Sequence, residues 1–136
     1  LRSLIDVPSK SMGEYTVRWP GHIQRYQTSE LSPDELVDAW RLDPQRPEFT
    51  WMEVQVQTGE TTHTWTVEDE GKDGDSSMAR TTGLVTFACV SAWTKHHLFN
   101  EGIHPPEDLP SEVILEVIQT LRDEGVSIEF HSDVQR

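Results

Sequence analysis

Two β-patterned runs, Phe49–Gln57 and Thr61–Asp69, flank the short connection Thr58-Gly59-Glu60. Runs this close together, joined through glycine, fold back on each other as an antiparallel hairpin. Any architecture for this chain must therefore contain an antiparallel sheet. In the second run Thr62, Thr64 and Thr66 alternate with His63, Trp65 and Val67, so one face is hydroxylated and the other apolar. In the first run, Phe49 and Trp51 give way to Met52, Val54 and Val56. That slip of phase predicts a β-bulge, or a strand covered on both faces.

Helical signals surround the hairpin. Ser32-Pro33-Asp34-Glu35 has the form of a helix start, with serine as N-cap, proline at the first helical position and glutamate completing a capping box. Leu36, Val37 and Trp40 supply its apolar stripe, and Asp43-Pro44 ends it. From about Thr82 to Asn100, apolar residues from Leu84 to Phe99 occupy most of a helical circumference, which predicts a helix buried from more than one direction and capped by Gly102. A further helix spans about Ser111 to Glu124, with Gly125 after its end, and Val126–Phe130 is a last short strand. Near the start, Glu14, Thr16 and Arg18 alternate with Tyr15, Val17 and Trp19 as in a strand, broken at Pro20-Gly21. The order β-α-β-β-α-α-β predicts an α+β fold, a mostly antiparallel or mixed sheet with helices layered on one face. Residues 1–13 are expected to be a connector, and 14–136 a single domain.

Composition removes several function classes. A net charge of −13 over 136 residues argues against nucleic acid and against an anionic membrane surface, both of which demand clustered cations. No apolar run is long enough to span a bilayer. Residues 1–13 have no apolar core or small-residue cleavage site of the kind a signal peptide needs. The lone cysteine, Cys89, lies in an apolar helical pattern and reads as a small buried hydrophobe in a reduced, cytoplasmic chain. The sequence begins without methionine and in mid-pattern, so the expectation is a piece of a longer protein.

Most chemical motifs are absent or have plain explanations. There is no G-x-G-x-x-G after a strand and no P-loop. Asp69…Asp73-Gly74-Asp75 is faintly like a calcium loop, but Arg80 stands where a bidentate glutamate belongs, and a solvated acidic loop is the simpler reading. His96 and His97 are adjacent, about 100° apart on a helix, and with Lys95 they complement the dipole at a helix C-terminus. Two segments carry more. Arg18-Trp19-Pro20-Gly21-His22 places a guanidinium, an indole and an imidazole at a strand end, or else is a surface arginine before an ordinary turn. Ser76–Gly83 leads into the long apolar helix, where free N–H groups, the positive dipole and the Arg80 fork favour a carboxylate, or where the hydroxyls simply cap. Together they outline a pocket for a carboxylate-bearing small molecule.

Thr16-Val17-Arg18-Trp19-Pro20-Gly21-His22, Met78-Ala79-Arg80-Thr81-Thr82-Gly83 and Gly102-Ile103-His104-Pro105-Pro106-Glu107 resemble, in that order, motifs of the second domain of the saccharopine dehydrogenase family. The family pattern is R-Y-P-G-H, then R-T-T-G at a helix start, then G-V-x-P-P-E; here Trp19 stands in place of the tyrosine and loses its phenolic oxygen. The likeness runs from about Glu14 to Ile128 and implies a domain similar to the C-terminal domain of glyceraldehyde-3-phosphate dehydrogenase. It implies a substrate-binding and dimer-forming domain of an NAD(P)-dependent amino-acid oxidoreductase acting on a carbon–nitrogen bond. NAD or NADP would be held by a Rossmann domain elsewhere in the same polypeptide and not by this chain. Arg18, with Trp19, Gly21 and His22, would form the substrate site, and Arg80 and Thr81 would contribute to it. No general acid or base is assigned, although His22 is within the expected site. The rival reading is a non-enzymatic dimerisation or ligand-sensing module.

Overall fold

The computed structural model describes residues 10–17, 20–41, 43, 45–98, 102, 104–105 and 108–134. The chain divides into two compact units, Leu1–Asp43 and Pro44–Arg136.

The first unit contains two short helices, α1 (His22–Gln27) and α2 (Pro33–Ala39). The Pro20-Gly21 break is a true turn: Gly21 has φ +81°, the left-handed region glycine enters without steric cost, and acts as the N-cap of α1. Helix α1, just after the turn, is not signalled by the alternating pattern, and the described residues before the turn, Glu14–Val17, form no strand. Glu14–Val17 is irregular and exposed, while Arg18 and Trp19 lie outside the described residues. Alternation gives a segment two faces, but a strand also needs a neighbour to accept its ladder hydrogen bonds. The start of α2 matches its sequence signal closely. The Ser32 hydroxyl oxygen accepts the Glu35 N–H at 3.4 Å, and the Glu35 carboxylate accepts the Ser32 N–H at 2.8 Å. The Ser32 hydroxyl, which donates to the Glu35 carboxylate at 2.7 Å, and after it the Ser32 N–H hold the Glu35 carboxyl below its ordinary pKa. The helix stops at Ala39, several residues before Pro44.

The second unit is the α+β body. Strands β1 (Phe49–Thr58), β2 (Thr61–Glu70) and β3 (Ser127–Val134) form an antiparallel sheet in that order, with helices α3 (Ser77–His96) and α4 (Ser111–Asp123) between β2 and β3. The hairpin forms as predicted, but its register runs unbroken from Phe49 opposite Glu70 to Thr58 opposite Thr61. The phase slip in β1 is therefore not a bulge, and β1 is not covered on both faces, since Met52, Val54 and Val56 are about half exposed. Directly paired residues share a face. One face carries Thr50, Met52, Val54 and Val56 beside Asp69, Val67, Trp65 and His63, continued by Ile128, Phe130 and Ser132.

The helices meet this face at the open end of the hairpin, through Thr50 and Asp69, where Val126 and Ile128 are buried. The principal core lies instead between the helices: Ala88 and Ala92 of α3 against Leu109, Val113 and Val117. Alanines at this contact let the two backbones approach closely. Contrary to expectation, α3 is buried on one side only. Met78, Val85, Phe87, Val90 and Trp93 remain exposed, because among the described residues α4 and the sheet end are what pack on it. Its C-cap is His97, at φ +51°, rather than Gly102. No described helix is long and apolar enough to cross a membrane.

Candidate functional site

The clearest concentration of buried polar groups is the start of α3. Ser76 caps the helix, its hydroxyl oxygen accepting the Ala79 N–H at 3.2 Å. Ser77 is fully buried (0 % exposed). Its N–H donates to the Glu48 carboxylate, and its hydroxyl donates to the other Glu48 oxygen at 2.7 Å. A hydroxyl has one proton, so the Thr50 hydroxyl, 2.7 Å away, must be the donor in its contact with Ser77. Gly71 makes room for this arrangement, because a β-carbon there would fall 2.5 Å from a Glu48 carboxylate oxygen.

Arg80 lies one turn along. Its Nε and Nη2 donate to the Asp69 carboxylate at 3.1–3.2 Å, and Nη2 also donates to the Glu124 carbonyl at 2.6 Å. The side chains are 13 % and 3 % exposed. Thr81 turns inward, donating from its hydroxyl to the Ser77 carbonyl at 2.8 Å.

The helix start does hold carboxylates, as its dipole and donors dictate. Both are supplied by the chain itself: Glu48 sits on the helix N-terminus and Asp69 fills the Arg80 fork. The arrangement therefore ties hairpin to helix, and the sealed Ser77 hydroxyl is closed to any substrate. The same carboxylates stand where the pyrophosphate of a dinucleotide would need positive charge, so this position does not fit NAD or NADP. Asp69, the first residue of the faint calcium pattern, is committed to Arg80, and Lys72–Asp75 closes as a tight turn around Asp73 and Gly74, both with positive φ. Among the described residues no three His, Cys, Asp or Glu side chains are grouped so as to hold a metal.

In the first unit, Gly21 and His22 are placed by the turn. His22 opens α1, and its ring lies 4.9 Å, centroid to centroid, from that of Trp40, with Tyr26 6.1 Å from the same indole. Tyr26, Pro33, Leu36, Val37, Trp40 and Arg41 line an open groove of about 650 Å³. Arg41, on its lining, pairs with Asp38 at 2.7 Å. The sequence pattern gives Trp40 only a packing role. The expected site residues are thus divided, with Gly21 and His22 in the first unit and Arg80 and Thr81 in the second.

Two other polar contacts lie away from these places. At the end of α3, Lys95 Nζ and His96 Nε2 approach the two Glu116 oxygens at 2.6 and 2.8 Å, so these side chains serve the helix–helix contact beyond complementing the dipole. Lys95 first, and His96 second, hold the Glu116 carboxyl below its ordinary pKa. On the sheet, His63 Nδ1 lies 2.8 Å from the Ser132 hydroxyl, with its ring stacked 6.0 Å from Phe130. Burial pushes the Cys89 thiol up, which suits an inert packing residue better than a nucleophile.

Glu48, and the pairing of Asp69 with Arg80, are invisible to motif reasoning. The one available signal is Asp69's place on the apolar phase of β2, where an acid needs a partner. No family model, no curated protein and no solved structure matches the chain. The likeness to the saccharopine dehydrogenase family rests on the three motifs themselves.

Proposed function

We propose that this chain is the substrate-binding and dimerisation domain of an NAD(P)-dependent amino-acid oxidoreductase of saccharopine dehydrogenase type, a cytoplasmic enzyme acting on a carbon–nitrogen bond. The observation that carries the reading is the ordered set of three motifs, beginning with Arg18-Trp19-Pro20-Gly21-His22. Its assembly role is supported by the apolar surface of the second unit, where Val54, Val56, Phe87, Val90 and Phe130 are all about half exposed or more. With the Arg80 fork filled by Asp69, the substrate carboxylate falls to Arg18, and Arg80 positions the start of α3. The hydride chemistry belongs to the nicotinamide, held by a Rossmann domain of the parent polypeptide, while this chain orients the amino acid.

The experiment is Arg18→Ala and Arg18→Lys in the parent enzyme. If Arg18 meets a carboxylate in a site closed to water, alanine should cost roughly 2–5 kcal/mol in kcat/KM. Lysine should recover part of this, a point charge being unable to reproduce a two-pronged contact. Cofactor affinity and melting temperature should hardly change. Near-normal turnover in Arg18→Ala would overturn the assignment. Calorimetric titration of the 136-residue chain with NAD and with NADP should be flat.

The internal engagement of Arg80 also favours a second reading, a dimerisation or ligand-sensing module without a reaction of its own. A G-x-G-x-x-G loop in the parent, with an acidic or basic residue about 20 positions later, distinguishes the enzyme from the module.

A further inference from the structure

We propose that β1 is a docking edge for an extended peptide in which apolar and basic residues alternate, a segment of another protein that joins the sheet as a further strand. The order β1-β2-β3 leaves two edges, and they differ. Along an antiparallel strand, successive residues turn their N–H and C=O groups alternately toward a given neighbour and away from it. Gly59, at φ +63°, and Glu60 form a two-residue turn, so Thr58 and Thr61 are its hydrogen-bonded ends. Counting back from Thr58, the backbone groups of Val56, Val54 and Met52 face β2, and those of Gln57, Gln55, Glu53 and Trp51 face outward. The same count carried across β2 turns the Ile128 carbonyl outward from β3. There Arg122 already occupies it, donating from Nε and Nη2 at 3.0 and 2.6 Å. On β1, among the described residues, no backbone bond reaches the outer side, and Trp51 to Thr58 are all exposed. The strand runs 10 residues in unbroken register without proline, lysine or bulge, the devices that ordinarily close an edge. An incoming strand finds its main-chain hydrogen bonds here.

The two faces beside this edge specify the partner's side chains. An added strand sets alternate residues beside Met52, Val54 and Val56, each about half exposed, and the others beside Trp51, Glu53 and Gln55. The first set suits aliphatic residues. The second face carries Glu53, Glu68, Glu70, Glu129 and Asp133, with no lysine or arginine on any of its strands. None of these carboxylates has an ion-pair partner among the described residues. Lysine or arginine on the partner answers that charge. Trp51, half exposed and two residues from Glu53, adds an indole suited to the same cation. A net charge of −13 on each molecule opposes a second copy at this edge and favours a strand that brings cations.

The test is fluorescence anisotropy of a fluorescein-labelled peptide, Val-Lys-Val-Lys-Val-Lys-Val, titrated with the 136-residue chain. The comparison peptide, Val-Val-Val-Val-Lys-Lys-Lys, has the same composition without alternation. The alternating peptide should bind, and the block peptide should bind at least tenfold more weakly. Only one side of an added strand faces β1, so methylating one alternate set of peptide nitrogens should abolish binding and methylating the other should not. Glu53→Lys should weaken binding about tenfold, whereas Asp133→Lys, the same charge change on the far strand, should cost less than about threefold. Gln55→Pro removes an outward N–H without touching the β1–β2 bonds and should also abolish binding. Circular dichroism checks that this variant folds, and the methylated peptides test the same contact on the unaltered chain. Equal binding of the two peptides, or equal losses from Glu53→Lys and Asp133→Lys, would reveal diffuse charge attraction and overturn the proposal. So would an absence of binding at about 1 mM chain, or indifference to both methylations. A dimer of the chain that Gln55→Pro dissolves would make a second copy the occupant and would overturn it too.

Discussion

Asp69 and Arg80 form a pair that neither side chain could leave without stranding the other. Both are largely out of water, and the fork geometry satisfies the carboxylate through three N–H contacts. Asp69→Ala should therefore destabilise the second unit by about 3–5 kcal/mol, because the guanidinium keeps its desolvation cost and loses its counter-charge. The double replacement Asp69→Leu, Arg80→Leu should cost much less than the sum of the single changes. Urea unfolding monitored by circular dichroism measures both, and additive losses would show that the pair does not act as a unit. Ser77 tests the neighbouring contact. Ser77→Ala removes a buried hydroxyl and leaves a Glu48 oxygen without its donor, for an expected loss of about 1–3 kcal/mol in the same assay.

At the level of elements, the long helix is held at both ends by carboxylates from elsewhere in the chain. Glu48 holds its N-terminus, and Glu116 of α4 draws in Lys95 and His96 near its C-terminus. Each contact places charge where the dipole of α3 wants it. The Glu116 contribution has a definite pH dependence. Its folded pKa lies below the ordinary glutamate value of 4.5, so the stabilisation is present above that value and fades as pH falls through the folded pKa. Glu116→Gln should lower the melting temperature at neutral pH, and its deficit relative to the unaltered chain should shrink on acidification below pH 4.5. A deficit constant from about pH 7 to about pH 3 would contradict the assignment. The hairpin, by contrast, depends on an unbroken ladder, and the first-strand phase slip is accommodated by leaving apolar residues exposed instead of by a bulge.

For the whole molecule, every buried hydrophobic residue among those described belongs to the second unit, from Ala88 to Ile128, and neither α1 nor α2 buries a residue. Residues 44–136 expressed alone should therefore keep their far-UV signature and unfold cooperatively; a non-cooperative melt would mean that the core needs more of the chain. Sequence alone determined the pieces that depend on near neighbours. The capping box at Ser32 and Glu35, the turn at Gly59, the Pro-Gly break, α4 and the antiparallel pairing of β1 with β2 each arise from residues a few positions apart, where periodicity and hydrogen-bonding capacity are legible. The helix start was legible too, as a place that wants an anion. Only the tertiary structure decided which anion. Glu48 is 29 residues from Ser77, Asp69 is 11 from Arg80, and Arg80 reaches a carbonyl 44 residues away. It also decided that Glu14–Val17 forms no strand and that one side of α3 stays exposed. Pattern records what a segment can bury or bond, while the partner that realises it is set by how distant parts of the chain pack.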